Sequence, residues 1–418
     1  NWMRRHGVNV GMGLKDPAVK YQRTGDKKYL DELKTGFHDL MALHGMPYDM
    51  LSSDEDLHGN DPTQGTELCA IVEAQFSLEE IIALTGDVSY ADALEKMTFN
   101  ALPTQTTDDY NAKQYFQIAN QVQVTRGVFN FSLPFDREMN NVFGMRSGYT
   151  CCLANMHQGW TKFASHLWYK TSDNGLAALV YGPSQITIPV GKSNDEITIT
   201  EITGYPFDEN ITFQIKTAKD VHFPLQLRVP AWCNEAALTI NGKEFSKPKG
   251  GTLVTINRTW KDGDKIILQL PMEVRGTEWG RNSRALERGP LVYALKLDEK
   301  WEKEHNEAEG DYYTIQPRGE WNFGLVASAI SHAQDSVKVK IVKPANDDFV
   351  WNISHAPIEL SVAAKQIPGW QISGDVAPQP VTDRNGYYKG KVSDALRHIT
   401  LVPYGCTKVR VVAFPVVE

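Results

Sequence analysis

Basic residues are in the minority in this 418-residue chain: 43 Lys and Arg stand against 51 Asp and Glu, for a formal net charge of −8 and a pI near 5.8. A chain with that balance has no general attraction for phosphate backbones, so no nucleic-acid partner is expected. Cysteine is scarce as well. Five cysteines in a chain of this size do not make a disulfide scaffold. No apolar run approaches the ~20 residues that a membrane helix needs, so no membrane partner is expected. A signal peptide is also lacking. The chain opens on Asn1-Trp2 with no initiator Met and reads as a fragment or processed form, so the missing signal leaves the compartment open.

The length favours two to three domains over a single core. Residues 1–169 read as helices, with Leu30, Leu33, Phe37, Leu40 and Met41 at helical spacing, and again Leu153, Met156, Trp160, Phe163 and Leu167. A weak repeat runs through this part. Thr24-Gly25-Asp26-x-x-Tyr29-x-Asp31-x-Leu33 returns as Thr85-Gly86-Asp87-x-x-Tyr90-x-Asp92-x-Leu94. Gly ends one helix in the left-handed conformation and Asp caps the next, so the unit is a helical hairpin, the building block of an (α/α) toroid or solenoid. Two or three hairpins are visible, about half of a six-hairpin toroid, which implies that the first half is missing from this chain.

After Tyr169 the period changes to two. Ile197–Thr200 and Ile211–Ile215 alternate, Asn241-Gly242 is a type I′ hairpin signal, and Trp260–Asp264 is a turn feeding a strand from Lys265 to Leu270. Turn signals every ~8–12 residues indicate an antiparallel sandwich. A second all-β stretch follows from Glu273, with Gly289–Tyr293 near its start and Ile399–Phe414 at its close. The charged run Asp298–Glu309 is expected to be a solvated loop. The expected organisation is therefore α then all-β, divided into residues 1–169, 170–272 and 273–418.

Two places carry chemistry. Cys151 and Cys152 are adjacent, and adjacent cysteines rarely bridge, because a disulfide wants Cα atoms ~5.5–6 Å apart and neighbours sit at ~3.8 Å. Redox cycling of the pair is for that reason the weakest reading. The pair stands at or before the N-terminus of an amphipathic helix, Leu153–Trp168, where the dipole favours thiolate. Glu67 and Cys69 take the equivalent position after Thr66, read as an N-cap. Three thiols and a carboxylate are the donor count of a tetrahedral metal site. Residues i and i+2 share no helix face, so Glu67 and Cys69 meet one ion only where the helix is irregular. The alternative is buried, unreactive thiols, the plain reading for Cys233 and Cys406. The second place is the acidic loop Asp54-Glu55-Asp56-Leu57-His58-Gly59. A carboxylate held there would serve as general acid; otherwise it is a solvated loop. His6 is a candidate polar wall of a site.

Glu67-x-Cys69, Cys151-Cys152, Trp260-x-x-Gly263-Asp264, Arg288-Gly289-Pro290-Leu291-Val292-Tyr293 and Leu401-Val402-Pro403-Tyr404-Gly405 together resemble the bacterial β-L-arabinofuranosidases of glycoside hydrolase family 127. The resemblance implies an (α/α)6 toroid followed by two antiparallel β-sandwiches. It implies a zinc ion held by Glu67, Cys69, Cys151 and Cys152, with Cys151 as nucleophile of a retaining mechanism. The family's acid/base Glu lies upstream of the E-x-C motif, which matches Glu55, although Asp54 and Asp56 compete for the role. His6 resembles a substrate-binding His. The implied substrate is an oligo- or polysaccharide releasing an L-arabinofuranose-like sugar, further sugar contacts belong to the missing N-terminal part, and the implied location is periplasmic or secreted. The rival reading is a non-catalytic carbohydrate-binding or architectural protein with a structural zinc.

Overall fold

The structure, a computed structural model, describes residues 5–127, 138–343 and 349–418. The chain is helical first and β afterwards. Its two compact units do not follow chain order: one combines Asn1–Ser77, Lys96–Trp160 and Val274–Glu418, the other Leu78–Glu95 and Thr161–Glu273.

The repeated Thr-Gly-Asp turns are built alike. In each, Gly takes a positive φ, +71° at Gly25 and +67° at Gly86. The threonine hydroxyl reaches back four residues, Thr24 to the Lys20 carbonyl and Thr85 to the Ile81 carbonyl. It also accepts from the amide of the aspartate, and that aspartate accepts from the amide two residues on. The turns join Asp16–Thr24 to Lys28–His44 and Leu68–Thr85 to Ser89–Ala101. In Lys28–His44 only Leu33 is fully buried, while Leu30, Phe37, Leu40 and Met41 stay half-buried.

Two helical expectations are corrected. Leu153–Trp168 is not one helix but two short ones, Cys151–Asn155 and Gln158–Ser165. Asn155, His157 and Gly159 are weak helix formers, and the Gln158 side chain hydrogen-bonds the Ala154 carbonyl at 3.2 Å in competition with the backbone. Thr66 is not an N-cap. It lies in a three-residue strand, Gly65–Glu67, and its hydroxyl hydrogen-bonds Tyr48 and the Leu51 carbonyl.

In the second unit, a six-stranded sheet runs in the order Lys243–Ser246, Ala237–Ile240, Lys265–Gln269, Asn210–Thr217, Asp195–Thr203, Ser184–Val190. A four-stranded sheet, Thr252–Trp260, Val221–Val229, Leu176–Ala178, Trp168–Lys170, meets it through the edge contact of Trp168 with Phe213 at 5.8 Å. Alternate residues point inward, as in Phe223, Leu225 and Leu227. The Asn241-Gly242 turn has positive φ at both residues, as type I′ requires. Asn241 and Asp264 tie the two turns together at 2.7 Å, which accounts for the aspartate of the Trp260-x-x-Gly263-Asp264 motif.

In the first unit, strands from Val274–Trp279 to Val416–Val417 form an eight-stranded sheet. The charged run is corrected from loop to strand: Asp298–Asn306 pairs along its length with Gly310–Arg318, and its charges sit on an exposed face. That hairpin adds Phe143–Gly144 from the helical part as a third strand. Two pairs depart from the antiparallel expectation: Leu176–Ala178 with Val221–Val229, and Phe323–Val326 with Val416–Val417. Both join segments distant in sequence, where no hairpin turn dictates direction.

The second unit also encloses an ionic core. Arg228 is fully buried, ion-paired with Asp92 and, at 2.5 Å, with Glu95. Glu95 further accepts from the Tyr205 hydroxyl and the Tyr181 amide. Substituting Arg228→Met leaves the Glu95 carboxylate buried without its cation. The expected loss is about 3–5 kcal/mol, read by urea unfolding monitored by circular dichroism, and a loss below 1 kcal/mol would contradict this account.

Candidate active site and metal centre

The centre is assembled from four segments of the first unit. Gly65–Glu67 pairs antiparallel with Phe116–Ile118, and the helix beginning at Leu68 follows at once. Glu67 is thus the last strand residue and Cys69 lies in the first helical turn. This break in conformation lets residues i and i+2 face one point. Cys151 and Cys152 open the short helix Cys151–Asn155, too short for its dipole to matter much, so the environment of these thiols is set by neighbours.

Glu67 Oε1 lies 3.8 Å from Cys151 Sγ and 3.7 Å from Cys152 Sγ, and Cys69 Sγ is 3.2 Å from Cys152 Sγ. All four donor atoms fall within 4.8 Å of one another. Around a tetrahedral ion with metal–sulfur bonds of ~2.3 Å, sulfurs sit ~3.8 Å apart, so this spacing fits a shared cation. The thiols are free, since a disulfide needs ~2.05 Å. Glu67 supplies a second observation. It is buried, its Oε2 has no hydrogen-bond partner, and burial, with the charges of Glu55 and Cys151, pushes its carboxyl up to about 8. His6 Nε2 stands 4.0 Å from that oxygen, and a bound cation would add to this pairing. The donor set is therefore able to hold a metal ion.

The thiols are unequal. Cys152 is fully buried and its thiol is pushed up by desolvation, whereas Cys151 is exposed and is held far below the usual thiol range by hydrogen bonds from Cys152 and Cys69.

The acidic loop is not solvated. Asp54 and Glu55 are both buried, and they diverge. Glu55, at φ +73°, receives a hydrogen bond from the Tyr115 hydroxyl at 2.7 Å and lies 3.1 Å from His6 Nε2. His6, Glu55 and Glu67 all approach within 4.8 Å of one another. Asp54 turns away to His58 Nδ1 at 2.8 Å and the Gly65 amide, and Asp56 pairs with Arg5. A non-glycine residue at positive φ is uncommon and is kept only where surroundings over-determine it. Here the His6 and Tyr115 contacts do so. Of the three carboxylates in the loop, Glu55 is the one joined to the thiol cluster.

Two residues at this centre were not singled out from the sequence. Tyr115 orients Glu55, and Lys113 is a buried ammonium two residues before it. Both lie in Asn111–Gln117, which has no motif or strong periodicity to mark it. Gly148 belongs with them: at φ +60°, a Cβ there would fall 2.3 Å from the Tyr115 ring, so only glycine lets this turn pass.

His58 and Asp54 make the loop's stability depend on pH. The hydrogen bond to Asp54 raises the His58 imidazole above 6.5 against partial burial, while burial raises Asp54. A histidine raised on folding contributes stability that is fully present below its unfolded pKa and lost as pH rises through the folded value. The stability difference between wild type and His58→Gln should therefore shrink as pH rises above 6.5. Thermal unfolding across that range checks it; a difference that grows with pH would contradict the pairing.

Family comparison is consistent with this geometry. Residues 8–165 match the GH127 catalytic domain of beta-L-arabinofuranosidases, and residues 175–272 match the GH127 middle domain. The chain is 25% identical over 315 residues to the non-reducing end beta-L-arabinofuranosidase of Bifidobacterium longum subsp. longum, covering 70% of this chain and 45% of that protein. A GH127 beta-L-arabinofuranosidase structure from Geobacillus stearothermophilus T6 superposes with a TM-score of 0.70 at 19% identity, over 98% of this chain and 60% of that one. A structure described as a glycoside hydrolase gives 0.69 at 19% identity, over 99% and 66%. The chain thus spans less than two thirds of the length of these relatives. With both domain matches in order along it, the chain belongs to glycoside hydrolase family 127.

Proposed function

We propose that the chain is the site-bearing part of a retaining glycoside hydrolase that releases an L-arabinofuranose-like sugar from a glycan, with Cys151 as nucleophile and Glu55 as acid/base. One observation carries this reading: the exposed thiol of Cys151 and the buried carboxylate of Glu55 both lie against Glu67, from two different segments. The relative from Bifidobacterium, named for cleaving beta-L-arabinofuranosides, supports the sugar class. The helical part is proposed as a piece of an (α/α)6 toroid, with further sugar contacts from the rest of the protein.

In this reading Glu67, Cys69, Cys151 and Cys152 hold zinc, the ion that a three-thiolate, one-carboxylate set suits. When bound, it would keep the thiols deprotonated near neutral pH. The remaining work falls to the protein. The Cys151 sulfur attacks the anomeric carbon as the glycosidic C–O bond breaks, and Glu55 gives its proton to the leaving oxygen. Glu55 then takes a proton from water, whose oxygen displaces the sulfur, so configuration is retained after two inversions. Tyr115 and His6 hold the Glu55 carboxylate in place, and the half-buried His6 would contact the sugar. A purely structural zinc site would favour an all-Cys/His set with every ligand enclosed; the Glu67 ligand and the exposed Cys151 favour catalysis.

Metal analysis of the purified protein should return one zinc per chain, and Cys69→Ala should lose the metal and lower the melting temperature, because it leaves an incomplete anionic site. Zinc-free wild type with undiminished stability would overturn the assignment.

In the full-length protein, Cys151→Ser and Glu55→Gln should each cost at least ~10³-fold in kcat. Aryl glycosides with good leaving groups should rescue the first step of Glu55→Gln, since such groups need little protonation, but not Cys151→Ser. An active Glu55→Gln beside an inactive Asp54→Asn would move the acid/base role to Asp54.

A further inference from the structure

Lys113 is fully buried, and the proposed reaction makes no use of it. Its main chain is fixed by pairing with Gly144, whose amide donates to the Lys113 carbonyl at 3.0 Å. Its side chain crosses to the turn that delivers the vicinal thiols. There Nζ donates to the carbonyl of Ser147 and, at 3.0 Å, to that of Tyr149. The same ammonium stands 5.2 Å from the centre of the Tyr115 ring, whose hydroxyl holds Glu55.

A neutral amide would satisfy two carbonyls more cheaply than an ammonium, whose burial costs several kcal/mol unless negative charge compensates. Burial pushes the Lys113 amine down, and the charges of Cys152, Cys151, Cys69 and Glu67 push it back up. On balance burial prevails and the amine is held below its usual range, so these charges offset only part of the cost. Four deprotonated donors against one divalent ion leave two net negative charges in the interior, and a buried cation alongside offsets part of them.

We propose that Lys113 is the positioning residue of the metal centre: its ammonium tethers the Ser147–Tyr149 turn so that Cys151 and Cys152 meet Glu67 and Cys69, and its charge offsets the anionic donor set. This rests on the metal-centre reading above.

Cobalt(II) titration of the metal-free full-length protein tests it, because thiolate-to-cobalt and d–d absorption report ligand identity and geometry without any assay of activity. Lys113→Met removes tether and charge, and Lys113→Gln keeps a donor but removes the charge. Both should bind cobalt at least about tenfold more weakly than wild type, with altered d–d bands. Lys96→Met, which removes a partly buried ammonium whose partners are Asp49 and Glu287, should leave the cobalt spectrum unchanged. Wild-type affinity and spectrum in either Lys113 variant would overturn the proposal, as would an equal disturbance in Lys96→Met. Should Lys113→Met fail to fold, Lys113→Gln decides by the same criteria. Wild type showing no thiolate-to-cobalt absorption would instead overturn the metal-centre reading itself.

Discussion

Three thiols and a carboxylate brought within 4.8 Å in a protein interior repel one another as soon as they ionise, and this repulsion is the constraint on which the rest of the centre depends. Glu67 shows the strain, with an oxygen that lacks a hydrogen bond and meets His6 Nε2 at 4.0 Å, and a carboxyl pushed up to about 8 by its burial and its neighbours. A bound cation relieves it. The protein's own answers are the Lys113 ammonium and the exposure of Cys151, which lets water share the charge of one sulfur.

Holding such a cluster together requires a rigid frame. It is provided by buried hydrogen bonds beneath the strand pair that carries Glu67. Gln105 donates to the carbonyls of Thr66 and Tyr115, Gln117 donates to Gln105, and the Tyr404 hydroxyl donates to Gln117. The Arg410 guanidinium, itself fully buried, closes the network on the Tyr404 hydroxyl and the Ile118 carbonyl. Tyr404 also packs on Tyr48, which hydrogen-bonds Thr66. A motif from the end of the chain is therefore a support for the strand that ends in Glu67. Its Gly405 admits the close approach of the Phe99 carbonyl and the Trp351 ring.

Much of this was legible in the residues. The Thr-Gly-Asp turns, the Asn241-Gly242 hairpin and the alternating strands are local, so their conformations follow from φ preferences and short-range hydrogen bonds. The four candidate donors were legible for a different reason: adjacent cysteines have no easy partner in each other, and E-x-C with C-C is a rare donor set. The helix expected over Leu153–Trp168 was misread because hydrophobic spacing outweighed the weak helix formers Asn155, His157 and Gly159. The charged run Asp298–Asn306 looked like a loop because an exposed strand face carries charge as readily as a loop does.

The sequence by itself determined which donors exist, that their number is that of a tetrahedral metal site, and that helices give way to strands near residue 169. Only the tertiary structure decided which carboxylate of the acidic loop reaches Glu67. Asp54, Glu55 and Asp56 are equivalent in the sequence, and what separates them is contact with His58, with His6 and Tyr115, and with Arg5. Those contacts join segments up to 60 residues apart, and neither propensity nor periodicity encodes a pairing at that range. The same holds for Lys113, an unremarked lysine until the fold sets its ammonium against the turn that carries the thiol pair.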